Sequence, residues 1–318
     1  MNFEQDNCNI ENDKSQHLEE FFKQINALEE HQTYKENTMF NVIEAIKKSN
    51  KIDDMRAYEL ENCGHFIEID NKGKIKNANF CKNKLCPMCS WRKSLKAFSN
   101  NVKIFDFIRE NFEKKFLFLT ITTVNKKKLD ESLDEINKGF KRFSNNRKFK
   151  KVVQGYIRQL EITYNQEKQT WHPHIHMILC VEKKYFESND YIKHDEWLKM
   201  WRSAVRDENV TNLDIRRFSF GVDGNYDYKP IFEISKYLTK TASINGLNND
   251  ETVELLANLL DSTYHMRQGT KSGIFRAVAQ NLDIEDEVTD LIDEDIENEK
   301  TIKLVWNGKK YVEFVPRS

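Results

Sequence analysis

The sequence predicts an α+β fold, in which an antiparallel sheet with helices on one face lies beside a small zinc-binding module and helical extensions. Three observations predict it. Segments typical of strand, helix, strand, strand, helix and strand follow one another between residues 116 and 220. Four of the six cysteines fall within residues 51–98, and the flanking segments have helical periodicity. This order of elements is typical of an antiparallel sheet covered by helices.

The central elements follow from hydrophobic periodicity. A run of apolar and β-branched residues predicts a strand at Phe116–Val124, and apolar residues at spacings of three and four predict the next helix. Those helical positions are Leu129, Leu133, Ile136, Phe140 and Phe143. The remaining predicted segments are a basic turn at Arg147–Lys151, strands at Val152–Tyr164, Trp171–Lys183 and Leu213–Phe220, a helix at His194–Arg206, and a helix after Pro230. The polar stretch Asn165–Thr170 is short enough to join two of these strands as a hairpin.

Composition divides the chain into four predicted regions. Residues 1–50 form an acidic N-terminal extension, helical or partly disordered, and residues 51–98 form the zinc-binding module. Residues 99–245 contain the sheet. Residues 246–318 form a C-terminal helical region with an acidic segment at Asp283–Glu299 and a terminal hairpin around Asn307-Gly308.

Charge is distributed unevenly along the chain. The first 50 residues carry five lysines and ten acidic residues, and residues 281–318 carry five basic and eleven acidic residues. Because the formal net charge of the whole chain is only −1, residues 51–280 carry an excess of about ten positive charges. A basic middle region predicts a polyanionic partner.

The sequence predicts a cytoplasmic protein without a membrane partner. The N-terminus lacks a basic segment followed by an apolar run, and no apolar run approaches the roughly 18 residues that a membrane helix needs. In a reducing compartment the cysteines are expected to be thiols or metal ligands rather than disulfides.

The most informative segment is Trp171–Lys183, which contains His172-Pro173-His174-Ile175-His176. Alternate side chains of a strand point to the same face, so His174 and His176 are expected to lie side by side. Two neighbouring imidazoles are suitable ligands for a divalent metal ion. The alternative is a pair of surface histidines on a half-solvated strand.

A third ligand is expected on the preceding strand. Glu161 would lie beside His174 and His176 if the two strands form a hairpin, and a set of two histidines and one carboxylate leaves positions open for substrate oxygens. The alternative for Glu161 is a solvent-facing strand residue.

The cysteine pattern predicts a structural zinc site. Cys86-Pro-Met-Cys89 places two thiolates three residues apart, and Cys63 and Cys81 complete a set of four, with His65 as the other candidate for the fourth ligand. The alternatives are a redox pair at Cys86 and Cys89, or buried thiols without a metal.

Several basic and aromatic residues are candidates for DNA contacts. A basic segment with an aromatic residue directly follows the cysteines and could contact phosphates or stack on bases; its alternative is the exposed side of a helix. The candidates are Trp91, Arg92, Lys93, Lys96, Arg158 and Lys240.

A second chemical motif lies at Phe232–Lys240. If this segment is helical, Glu233 and Tyr237 share one face, and so do Lys236 and Lys240. The phenol has an ordinary pKa near about 10, so nearby cations or a metal-polarised phosphate would help it act as a nucleophile. The alternative is a tyrosine packed on the sheet with an exposed glutamate.

Taken together, these motifs resemble those of a known family, the replication-initiator (Rep) proteins of small Gram-positive rolling-circle plasmids, within the HUH endonuclease superfamily. The resemblance rests on the Phe118–Thr122 strand, the His172–His176 motif, Glu233-x-x-Lys236-Tyr237-x-x-Lys240, and the cysteine-rich segment 80–96 with Cys63-Gly64 upstream. It covers residues 60–245 and leaves both ends outside.

The resemblance implies a metal-dependent enzyme that nicks and rejoins DNA. His174, His176 and Glu161 would hold Mg²⁺ or Mn²⁺, and Tyr237 would attack the origin strand to form a 5′-phosphotyrosine. Glu233 would activate water for a terminating cleavage, and Lys236 would steady the phosphate or the phenolate. Single-stranded or hairpin DNA would be the substrate, a host helicase and a DNA polymerase would be partners, and a homodimer is left open. Two other readings are a zinc-dependent DNA-binding regulator without catalysis and a transposase or relaxase with the same metal pair.

Overall fold

The computed structural model describes residues 3–217, 228–236, 249–285, 288–289, 291–292 and 300–315, with side chains from residue 19 onward except residue 20. Within these ranges the helices are α1 Phe3–Lys48, α2 Met55–Glu61, α3 Pro87–Asn111, α4 Leu129–Ser144, α5 Arg147–Val152, α6 His194–Val205, α7 Lys229–Ser235, α8 Asn249–Ser262 and α9 Ile274–Asn281. The strands are β1 Phe66–Ile69, β2 Ile75–Ala78, β3 Lys114–Thr122, β4 Val153–Asn165, β5 Thr170–Glu182, β6 Asp214–Arg217, β7 Gly269–Gly273, β8 Ile302–Trp306 and β9 Tyr311–Glu313.

The chain divides into two compact units. The first comprises residues 1–92 and 290–318, and the second comprises residues 93–289. The predicted fold class is confirmed, since both units combine helices with an antiparallel sheet.

The first unit contains a four-stranded sheet in the order β2-β1-β8-β9. Strand β1 pairs with both β2 and β8, so a hairpin from the end of the chain completes a sheet that begins near residue 66. Helix α1 is continuous over 46 residues. It contributes buried apolar side chains such as Leu28 and Ile46 to the core.

The second unit contains a five-stranded sheet in the order β6-β3-β5-β4-β7, in which every neighbouring pair is antiparallel. Strands β4 and β5 are 13 residues each and form the predicted hairpin. Because β5 pairs with β3 over residues 174–182 and with β4 over residues 170–181, its side chains are held in a fixed register.

Helices cover parts of both faces of this sheet. On one face, Ile178 and Ile157 belong to a buried cluster with Phe105 of α3, Ile234 of α7 and Phe275 of α9. On the opposite face, Arg158 lies over the ring of Phe140 in α4. Arg158 and Ile157 are neighbours in β4 and therefore point to opposite faces.

The structure differs from two of the predicted elements and selects one of the alternatives for a third. Residues 147–151, expected to be a turn, lie in the short helix α5, whose first turn is capped by the Asn146 side chain accepting a hydrogen bond from the Lys148 amide at 2.8 Å. Residues 1–50, expected as one or two helices or partial disorder, contain the single helix α1. Helix α7 ends at Ser235, and Lys236 adopts extended backbone angles. The expectation that Glu233 and Tyr237 lie on one continuous helix is therefore wrong, and the expected pairing of Lys236 with Lys240 extends beyond the described residues.

None of the helices in the described ranges combines the length and apolar character that crossing a bilayer requires.

Candidate metal centres: a cysteine cluster and a histidine face

The cysteine cluster consists of Cys63, Cys81, Cys86 and Cys89, all buried in the first unit. The sequence places Cys63 before β1, Cys81 after β2, and the other two at the start of α3, and the fold brings all four sulfur atoms within 4.8 Å of one another. Three of the Sγ–Sγ distances are 3.5, 3.6 and 3.7 Å. A tetrahedron with Zn–S bonds of about 2.3 Å has edges of about 3.8 Å, so the donor set fits a tetrahedral ion such as zinc.

Hydrogen bonds within the cluster favour the thiolate form of Cys86, whereas the same contacts raise the pKa of Cys81 and Cys89 well above their ordinary values. The Cys63 thiol, followed by those of Cys81 and Cys89, holds the pKa of Cys86 well below its ordinary value. Backbone amides add to this, because Cys81 N donates to the Cys63 sulfur at 3.3 Å and Asn83 N donates to the Cys81 sulfur at 3.5 Å. Donors aimed at sulfur stabilise negative charge on the cluster, which is the form that binds metal.

His65, the other candidate for the fourth ligand, is not part of the cluster. Its Nε2 lies 2.9 Å from a carboxylate oxygen of Glu36 in α1. Glu36 also lies 3.3 Å from the ammonium group of Lys35.

Lys35 is a residue that the sequence did not single out. Its side chain is fully buried, and its Nζ donates hydrogen bonds to the backbone oxygens of Cys63 at 2.7 Å and Glu61 at 3.0 Å. A buried lysine is costly unless it is paired, and here the cation lies against the backbone of a cysteine-cluster residue.

The histidine face is the face of the five-stranded sheet that carries His172, His174 and His176 of β5, all half-buried. Their ring centroids are 4.1 Å apart for His172 and His174 and 6.1 Å apart for His174 and His176. The same side of β5 continues into Ile178 and Cys180, which are buried under helices. One end of this face is therefore covered by the apolar core, while the imidazole end is left accessible.

Glu161 of β4 lies directly opposite His174 in the hairpin register. Its carboxylate accepts a hydrogen bond from His176 Nε2 at 3.1 Å. Among the described residues, the only group of three or more side chains with metal-ligand atoms within 4.8 Å of one another is the cysteine cluster. His174, His176 and Glu161 share a face without forming such a compact group, so a metal ion there would have to draw the donors closer.

Thr120 of β3 is a further residue on this face that the sequence did not single out. It pairs with His176 across the strands, and its Oγ1 lies 3.0 Å from His176 Nδ1. Since a carboxylate only accepts, Nε2 carries the proton toward Glu161, and a neutral ring then accepts from the Thr120 hydroxyl at Nδ1. The same hydroxyl can accept from Nδ1–H when Nε2 is free to bind a metal.

Helix α7 brings part of the second motif onto the histidine face. Its residues Ile231 and Ile234 pack in the same buried cluster as Ile178 of β5. Glu233 accepts an ion-paired hydrogen bond from Lys236 Nζ at 2.6 Å. Tyr237 and Lys240 lie outside the described residues.

The candidate DNA-contacting residues are placed in different surroundings. Trp91 stacks on His31 with ring centroids 4.2 Å apart, and Arg92 donates to the Leu291 backbone oxygen at 3.1 Å. Lys93 is buried and Lys96 is half-buried. Arg158 donates to Thr270 at 2.8 Å on the face opposite the histidines.

Comparison with known proteins identifies the family. A family model described as Replication protein matches residues 72–312. A "Protein rep" of Streptococcus pneumoniae serotype 2 is 33% identical over 274 residues, covering 80% of this chain and 83% of the relative. A "Protein rep" of Bacillus amyloliquefaciens is 33% identical over 252 residues, covering 73% of this chain and 74% of the relative. A "Protein rep" of Staphylococcus aureus is 32% identical over 189 residues, covering 57% of this chain and 80% of the relative. No solved structure matches the chain significantly. With most of its length matched by this family model, the chain belongs to the Rep family of plasmid replication initiators.

Proposed function

We propose that this replication initiator is a metal-dependent endonuclease of the HUH type, which nicks one strand of its origin and rejoins DNA through a tyrosine. The observation that carries the proposal is the shared histidine face. His174, His176 and Glu161 lie together there, and α7, which leads directly into Tyr237, packs on the same face. The proposal requires the phenol, two residues beyond the end of this helix, to approach the imidazoles.

His174, His176 and Glu161 are the side chains that would hold Mg²⁺ or Mn²⁺. A carboxylate oxygen suits these ions and imidazole nitrogens bind divalent metals more generally, and when bound such an ion offsets negative charge on a phosphate in the transition state. Thr120 holds the His176 ring at Nδ1, and an outer-shell partner on one ring nitrogen is the usual arrangement when the other nitrogen binds a metal.

In the proposed reaction, the Tyr237 phenolate oxygen forms a bond to the scissile phosphorus. The bond from phosphorus to the 3′ oxygen breaks, and that oxygen takes up a proton to become a free 3′-hydroxyl. The other product is a 5′-phosphotyrosine. Lys236 would steady the negative charge, and Glu233 would later remove a proton from water during the terminating cleavage.

The cysteine cluster is proposed to hold a structural zinc ion. Four buried thiols at tetrahedral spacing support a closed site without an open position for substrate. The two metal sites are therefore expected to be chemically separate, with zinc held by thiolates and the catalytic ion held by imidazole and carboxylate. The basic middle region would supply affinity for the origin DNA, and a host helicase and DNA polymerase would act on the nicked product.

The decisive experiment is a covalent-adduct assay. The protein is incubated with a hairpin oligonucleotide from the double-strand origin of its replicon and Mn²⁺, and the products are separated on a denaturing gel. We expect a slow-migrating protein–DNA band in the wild type and no such band in Tyr237→Phe or His176→Ala. EDTA should abolish the band, and renewed Mn²⁺ should restore it while zinc stays bound. Glu233→Gln is expected to form the first adduct and to release it more slowly. Origin binding without any adduct would instead identify a DNA-binding regulator, and joining to an unrelated target would indicate a transposase.

A further inference from the structure

A small cavity in the second unit lies between α3, α7 and the β4–β7 edge of the sheet. Its volume is about 50 Å³. Polar side chains of Asn100, Asn101, Gln159, Ser235 and Lys271 line it beside apolar ones such as Ile157 and Ile234. Two of these are tied together, because Asn101 Nδ2 donates to Ser235 Oγ at 3.0 Å. The cavity therefore presents an ordered group of polar side chains on a partly apolar wall.

Gln159 is the residue that points to a ligand. Its side chain is 7% exposed, yet its amide nitrogen has no hydrogen-bond partner among the residues that the structure describes. An unsatisfied buried donor costs about 1–3 kcal/mol, so such groups usually serve a ligand or a bound water.

Gly269 makes room for this carboxamide. A Cβ atom at position 269 would lie 2.7 Å from Gln159 Oε1, which is closer than real contacts allow. The glycine on β7 and the glutamine on β4 are paired directly across the strands. The amide thus occupies space that only a residue without a side chain leaves open.

The cavity borders the proposed catalytic residues. Gln159 pairs with His176 on the other side of β4, so the two side chains share the histidine face at neighbouring positions. Directly paired residues have Cβ atoms about 4.5–5.5 Å apart. Ser235, at the end of α7, is two residues before Tyr237 in the chain. A DNA strand whose phosphate lies at His176 would therefore bring a flanking nucleotide to this recess.

We propose that the recess reads the edge of one nucleobase next to the nick, with the Gln159 carboxamide as the residue that determines specificity. The proposal rests on the nicking function proposed above and extends it to sequence recognition. A carboxamide presents a donor and an acceptor side by side, as base edges do, and three carboxamides line this cavity. A phosphate subsite would be expected to be dominated by cations and backbone amides instead.

The test measures base preference rather than activity alone. Single-stranded oligonucleotides that span the nick site are made with each base replaced in turn, and their dissociation constants are measured by fluorescence anisotropy in EDTA. Cleavage rates with Mn²⁺ are measured in parallel. Wild type is expected to lose about tenfold or more in affinity when one flanking base is replaced. Gln159→Leu should reduce that loss to about twofold while leaving the penalties at the other positions unchanged.

Two further variants separate recognition from folding. Gly269→Ala keeps Gln159 but displaces its carboxamide, so it should relax the same position. Gln154→Leu makes the same side-chain change at an exposed position of the same strand and should keep the wild-type profile. Thermal unfolding of each variant is measured, and if Gln159→Leu does not fold, Gly269→Ala and Gln159→Glu decide the matter.

An unchanged base profile in Gln159→Leu and Gly269→Ala would overturn the proposal. A uniform loss of affinity at every sequence would also overturn it, because that pattern indicates a phosphate contact. Absence of cleavage and of a covalent adduct in the wild type would contradict the proposed nicking function. The dependence of DNA affinity on each base, measured in EDTA, would still test the recess in that case.

Discussion

The cysteine cluster and the histidine face are both candidate metal centres, and they differ in how completely the fold prepares them. The four cysteines are buried, and their sulfur atoms already lie within 4.8 Å of one another. On the histidine face, Glu161 lies at hydrogen-bond distance from His176, and the imidazoles remain half-buried. A closed site serves the stability of its unit, whereas an open one leaves room for substrate.

The difference has a topological origin. The cysteines come from loops and a helix start that can adjust until all four sulfurs converge. The histidines come from the middle of a sheet, where alternate residues of β5 and the register with β4 fix their spacing. A sheet therefore presents ligands in a row, and closing them around an ion depends on side-chain rotation and on the substrate.

The largest effect is expected when the cysteine cluster loses a ligand. Cys89→Ser should unfold the first unit, because structural zinc contributes on the order of 10 kcal/mol in zinc-finger peptides, comparable to the whole stability of a domain. Thermal unfolding and limited proteolysis, together with zinc content, measure this. The control is Cys180→Ser, which changes a buried cysteine outside the cluster, and this variant should keep the zinc of the cysteine cluster. An unchanged unfolding temperature in Cys89→Ser would show that the cluster is not structural.

Much of this contrast could be predicted from the sequence. The spacing of Cys81, Cys86 and Cys89 is local, so it points to a shared ion before the fold is known. The short link between β4 and β5 similarly placed Glu161 beside the histidines. Thr120 was missed because the register between β3 and β5 joins residues 56 positions apart, which no local pattern encodes. Lys35 was missed because a lysine within an acidic, polar helix gives no sign that it is buried.

The residue at which α7 ends could not be predicted from the sequence either. Glu233-x-x-x-Tyr237 has helical spacing, and no proline or glycine separates the two residues. The structure nevertheless ends the helix at Ser235, whose hydroxyl donates to the Ile231 backbone oxygen at 2.6 Å. Local competition of this kind between side chain and backbone is decided by packing, so periodicity alone does not reveal it.

The second prediction asks whether the cysteine cluster depends on the metal alone. Lys35→Met should destabilise the first unit by about 3–5 kcal/mol, because Glu36 and two backbone oxygens would lose their buried cation. Chemical denaturation measures the change, and competition with a chelator tests whether zinc is released faster. Lys47→Met on the same helix removes an exposed cation paired with Glu44 and should cost less than about 1 kcal/mol. Equal losses of stability in the two variants would show that Lys35 does not stabilise the first unit more than an exposed lysine does.

The third prediction concerns the orientation of His176. Thr120→Val removes the hydroxyl at nearly constant volume, and we expect metal affinity and the nicking rate to fall by about 10–100-fold. Thr120→Ser keeps the hydroxyl and should remain close to wild type. Manganese binding measured by calorimetry separates this effect from a loss of DNA binding. A Thr120→Val protein with normal manganese affinity would leave the histidine face without a supporting residue in β3.

The smallest expected effect is a pH dependence confined to the first unit. Burial raises the pKa of Glu36, but the hydrogen bond with His65 and the charge of Lys35 outweigh it and hold that pKa below its ordinary value. A carboxyl group with a lowered folded pKa adds stability above its unfolded pKa of about 4.5, and the contribution disappears as the pH falls through the folded value. Glu36→Gln should therefore lower the stability of the first unit at pH 7 and flatten its pH dependence below about pH 4.5. Unfolding curves between pH 3 and 7 test this, with Glu44→Gln as the exposed control on α1. If Glu36→Gln leaves the slope of stability against pH unchanged, other groups cause the acid sensitivity. A flattened slope would show that α1 helps to stabilise the region around the cysteine cluster. The effect of acid on the histidine face would then be measured separately, from the cleavage rate.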